Sequence, residues 1–107
     1  MILTTTNSVE GRTIEAYLGI VSGETIMGTN IFKDIFASVR DIVGGRSAAY
    51  EEEIIAAREH AMAEIEARAR TLGADAVVGI HVDTGAIGGD NRTLLMVSVT
   101  GTAVKLG

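Results

Sequence analysis

The sequence predicts an α+β domain of two layers, with helix packed on sheet. Three observations carry that expectation. Residues 47–72 contain no Gly or Pro and repeat apolar residues at helical spacing. Residues 13–21 and 93–104 alternate side chains with the period of a strand. The chain order, strand then helix then a strand pair, lets helices cover only one face of the sheet.

With 107 residues the chain reads as one domain, residues 1–107, with enough apolar content for a core. Trp is absent and only two Tyr and two Phe are present, so that core is built from Ile, Val, Leu, Ala and Met. The net charge of −5 argues against general affinity for nucleic acid or anionic membrane. No apolar run approaches the roughly 18 residues of a membrane span, and no signal-peptide core opens the chain, so a cytoplasmic protein is expected. Cysteine is absent, which excludes disulfides, thiolate metal ligands and cysteine nucleophiles.

Residues 1–6, rich in Thr, predict a short strand, and Asn7 to Gly11 a turn. In residues 13–21, Ile14, Ala16, Leu18 and Ile20 are expected on one face, with Glu15, Tyr17, Gly19 and Val21 on the other. Glu24 to Met27 continue the strand after a bulge at the Gly23 punctuation. Asn30 to Gly44 reads as a first helix, with Ile31, Phe32, Ile35, Phe36, Val39, Ile42 and Val43 on its packing face.

The long helix follows, with Ser47 as its N-cap and Gly73 at C′. Acidic Glu51, Glu52 and Glu53 near its start and Arg68 and Arg70 near its end suit the helix dipole. At 1.5 Å per residue it spans about 39 Å, more than one small domain needs. Ile54, Ile55, Ala61, Met62, Ile65, Ala69 and Leu72 form its apolar stripe. Glu51 and Arg58 project into that stripe two turns apart. They either reach solvent along their stems, or stand at a subunit boundary or around an anion.

Residues 76–83 predict a buried strand, with Val78, Ile80 and Val82 on one side and Val77, Gly79, His81 and Asp83 on the other. Thr84 to Asn91 is expected as a glycine-bearing loop before the last strand, residues 93–104. The strand face away from the helices is mixed, which suits either solvent or another copy of the chain. A homo-oligomer is expected, since one subunit would leave too much apolar surface open.

Gly19 to Glu24, Asp41 to Ser47, Tyr50-Glu51, Ala57-Arg58, Gly73 to Gly79 and Gly101 to Val104 together resemble the YbjQ-like family, which carries the label "putative heavy-metal-binding". The resemblance runs through nearly the whole chain in order. It implies a βαββ subunit like that of dodecin, with a three-stranded antiparallel sheet, assembled as a ring pentamer. Thr84-Gly85 stand where the family often has Tyr and Glu, and Leu18 where it can carry Cys. Thiolate binding is therefore unsupported in this member.

Two sets of residues carry candidate chemistry. His81 and Asp83, two apart on one strand face, can converge on a divalent metal ion, although a structural zinc site needs four ligands and ring symmetry, or Asp75 or Asp90 nearby, would have to supply the rest. Alternatively they are polar residues at a half-exposed strand end. Arg46 and Ser47, at a helix N-terminus and joined by Glu51 and Arg58, can hold a small anionic ligand, or serve as a capped turn. His60 with Glu64 one turn on is a third, weaker pair on a solvated helix face. No catalytic constellation or dinucleotide fingerprint is legible. Three function classes stay open: a homo-oligomer binding a metal ion or small ligand between subunits, a scaffold oligomer without a ligand, and, least favoured, an enzyme with an inter-subunit site.

Overall fold

The structure, a computed structural model, describes residues 1–27, 48–89 and 92–107. In chain order the described elements are β1 (Ile2–Leu3), β2 (Ile14–Met27), α1 (Ala48–Thr71), β3 (Ala76–Gly89) and β4 (Arg92–Leu106). The helix expected over residues 30–44 and the Ser47 cap lie outside the described residues.

The sheet has four strands in the order β1-β3-β4-β2. It is mixed, not purely antiparallel: β1 runs parallel to β3, while β3-β4 and β4-β2 are antiparallel. The fourth strand is the short N-terminal one. Its pairing is prolonged by Thr4 N–H on Val77 O at 3.0 Å and by Ile80 N–H on Thr4 O at 3.1 Å. The expected loop from Thr84 is also strand as far as Gly89, because β4 offers a continuous partner down to Arg92.

Three register slips, two in β2 and one in β3, change which side chains face inward. At Gly19, with φ of 132°, the β2 register slips against β4. Leu18 packs against the helix-side core before the slip, and Val21 is buried there after it, while Ile20 is 85% exposed. The simple alternation expected over residues 13–21 therefore fails at Ile20 and Val21, and a slip between Ile14 and Ala16 likewise puts Ile14 on the face opposite Leu18, since an extra residue turns every later side chain over. The third slip lies in β3 between Val78 and His81, where Gly79 has φ of 61°. It places Val77 and Ile80 in the core under α1, whereas Val78 joins the opposite face. The expected grouping of Val78 with Ile80 is corrected for the same reason.

α1 packs over β2 and β4 and barely reaches β3. Its buried stripe is Ala57, Ala61, Ile65 and Ala69, one residue per turn, with Ile54 and Met62 partly covered. Ile55 and Leu72, expected in the stripe, are exposed. Small residues dominate the stripe because the helix backbone sits directly on β2. A Cβ on Gly23 would run into the Ala61 carbonyl oxygen and stand 3.1 Å from the Ile65 nitrogen. The C-terminus of α1 is as expected: Gly73 has φ of 79°, Gly73 N–H reaches Arg70 O at 3.0 Å and Ala74 N–H reaches Ala69 O at 3.1 Å. That pair of bonds is a Schellman motif, which satisfies carbonyls the helix would otherwise leave open.

Below the sheet a smaller cluster joins Ala76, Val78, Val104 and Leu106 to Val9 and Ile14, so the N-terminal loop covers one end of the outer face. Asp75 ties this end together, accepting Leu106 N–H at 2.9 Å and standing 3.9 Å from Lys105 Nζ. The fold is elongated, 53 × 27 × 16 Å, with a radius of gyration of 17.0 Å. A compact chain of this length has about 13 Å.

Candidate metal and ligand site

His81 and Asp83 stand on β3 opposite Thr100 and Ser98 of β4. Directly opposed residues share a sheet face. Thr100 and Ser98 alternate with buried Val99 and Val97, which belong to the core under α1. His81 and Asp83 therefore lie together on the outer face, away from the helix, and both are exposed. On the far side of β4, Ser22 and Glu24 of β2 complete the same two rungs, and Ile26 lies opposite Met96 in the next. One rung reads Ser22, Thr100, His81, and the next Glu24, Ser98, Asp83.

Adjacent strands are about 4.8 Å apart, so Glu24 and Asp83 are separated by about 10 Å at the backbone. One ion does not draw direct ligands from both while the sheet stays flat. Among the described residues no group of three or more His, Asp or Glu is placed to hold a metal ion. The described residues thus offer a His and an Asp from one strand, half of a tetrahedral set. Asp75 does not add to it, being engaged by Leu106 and Lys105, and Asp90 lies outside the described residues.

Arg46 and Ser47 also lie outside the described residues. Their expected companions are on α1: Glu51 is half-buried and Arg58 is exposed. Arg58 is therefore not a buried charge in the apolar stripe; the stripe is narrower than its spacing suggests, and its guanidinium reaches water. The sheet separates Glu51 and Arg58 from His81 and Asp83, so the two candidate sets are distinct places within one chain. His60 is exposed on the helix, and its neighbour Glu64 pairs with Arg68 at 2.5 Å.

The outer face also exposes apolar side chains, Tyr17 on the side the alternation gave it and Ile20 on the side it had given to the core. Tyr17, opposite Val104, is 72% exposed, and Ile20 and Ile26 lie on the same face of β2. Glu24 belongs to this strip and was missed with Ile20, although a glycine inside an alternating run was the available signal. β2 is one of the sheet's two edge strands, and Arg68 of α1 reaches the Ser22 carbonyl at 2.6 Å.

No helix among the described residues is long and apolar enough to cross a membrane. In the solved structures, the fold is similar to that of a protein of unknown function from Pediococcus pentosaceus, assigned to the DUF74 family. The TM-score is 0.71 at 18% identity, with 100% of this chain and 98% of that chain covered. A family model described as "Putative heavy-metal-binding" matches residues 1–107. The chain therefore belongs to the YbjQ-like family.

Proposed function

We propose that this chain is a cytoplasmic homo-oligomer, a ring pentamer, that binds a divalent metal ion or small ligand at sites between subunits. The observation that carries this reading is the outer sheet face. There, His81 and Asp83 share a surface with exposed Tyr17, Ile20 and Ile26. Those three side chains are 72%, 85% and 57% exposed, and clustered exposed apolar side chains mark interaction surfaces. Fully burying such a side chain is worth about 1.5–3 kcal/mol before the entropy of association is subtracted.

A second copy covering this face would bring its own donors beside a His and an Asp that are too few alone. Without thiolates, the site would favour imidazole and carboxylate ligands, and so zinc, nickel or copper ahead of softer ions. The family's description points the same way.

Native mass spectrometry of the untagged protein, with and without zinc, copper and nickel, tests the proposal. The expected result is one closed oligomer gaining a fixed number of ions. His81→Ala and Asp83→Ala should each remove that gain while leaving the assembly intact. An oligomer that collects only scattered adducts would refute binding and leave a scaffold without a ligand. A monomer would refute both readings.

A further inference from the structure

The described side-chain cations are almost all engaged. Arg12 Nε donates to Gly107 O at 2.8 Å, Arg68 and Arg70 pair with Glu64 and Glu66, and Lys105 reaches Asp75 and the Gly73 carbonyl. Arg58 alone among them has no partner within the described residues. In a chain of net charge −5 that is an unusual cation to leave over. Its surroundings are apolar and open: Ile55, one turn away on the same flank of α1, is 50% exposed. Val82, opposite Val99 on the helix side of β3, is also exposed, because α1 barely reaches that strand.

The outer face presents the counterpart. Glu24 is exposed and forms no ion pair among the described residues, and it stands between exposed Ile20 and Ile26 on one strand face. The described residues thus expose apolar side chains on opposite sides of the sheet, with Glu24 on one side and Arg58 on the other, neither in an ion pair among the described residues. Lying on opposite sides of the sheet, the two sets cannot both belong to one isologous two-fold contact, in which a single surface meets its own copy. They can meet head to tail.

We propose that the Tyr17, Ile20, Glu24 and Ile26 strip of one subunit docks on the Ile55, Arg58 and Val82 patch of the next, with a Glu24–Arg58 ion pair across the contact. This rests on the homo-oligomer proposed above and names its contact. Head-to-tail contacts of one kind produce a ring when the rotation between neighbours closes. Apolar surface drives the association, and the ion pair sets its register and rejects the reversed docking.

Charge reversal tests the contact. Wild type, Glu24→Arg, Arg58→Glu and the double variant are compared by native mass spectrometry and light scattering across protein concentration, with circular dichroism as the check on folding. Each single reversal should weaken assembly by at least roughly 30-fold, since it sets like charges against each other. The double reversal should recover most of that loss. Folded single variants that assemble as wild type does would overturn this contact while leaving the oligomer standing. So would a folded double variant that recovers nothing. A wild type that is itself monomeric would overturn the oligomer and the contact together.

Discussion

Gly23→Ala is the sharpest test of how α1 sits on the sheet. The added methyl would overlap the Ala61 carbonyl oxygen and lie 3.1 Å from the Ala61 carbonyl carbon and the Ile65 nitrogen. These are backbone atoms of a helix and cannot rotate aside. α1 must instead retreat from β2 by about 1 Å, which forfeits a quarter to a half of the dispersion contact of the atoms beneath it. Those atoms belong to Ala57, Ala61, Ile65 and Ala69, the most buried residues of the helix. Overpacking of this kind costs typically about 1–3 kcal/mol, and the upper end applies where no side chain can yield. Replacing Gly returns about 0.4–1 kcal/mol through the unfolded chain, so a net loss of about 2 kcal/mol is expected.

The matched control is Gly85→Ala, also in a strand, where an added Cβ meets nothing within 4 Å. That variant should be neutral or slightly stabilised. Urea unfolding followed by circular dichroism, at one fixed protomer concentration, compares the two without interference from assembly. In a thermal scan each kcal/mol corresponds to about 4–8 °C for a domain near this size. If Gly23→Ala unfolds within about 1 kcal/mol of Gly85→Ala, the close approach of α1 to β2 is wrong.

The other substitutions address separate parts of the fold. Ile65→Ala empties a fully buried site between α1 and the sheet and should cost about 2–5 kcal/mol by urea titration, depending on how far the helix settles. Asp75→Ala removes the acceptor of Leu106 N–H and should cost about 1–3 kcal/mol, with faster amide exchange at Leu106; unchanged exchange there would contradict the bond. Arg70→Ala breaks only an exposed helix pair with Glu66, so its midpoint should move by no more than about 0.5 kcal/mol.

The large elements were legible in the residues themselves. A stretch without Gly or Pro between Ser47 and Gly73 is read as a helix because propensity, charge placement and the C-terminal glycine all agree, and the helix runs from Ala48 to Thr71 with Gly73 closing it. Strands were read from alternation at residues 13–21, 76–83 and 93–104 and from the Thr-rich start at 1–6, each overlapping an observed strand, although residues 84–89, expected as a loop, extend β3. Likewise, His81 and Asp83 were expected on one face, and backbone pairing keeps them there. These features depend on neighbours in the chain, and local chemistry is enough to specify them.

What faces what depends on partners distant in sequence. A single extra residue at Gly19 reverses the sidedness of the rest of β2, burying Val21 and exposing Ile20, and the slip exists only relative to β4. The exposure of Arg58 follows from where Gly23 lets α1 settle, which places Ala57, Ala61, Ile65 and Ala69 inward and turns Ile55 outward. The separation of His81 and Asp83 from Glu51 and Arg58 by the thickness of the sheet has the same origin. Side-chain period is a property of one element, but a binding face is set by the register and packing of several, and those are decided only when the tertiary structure forms.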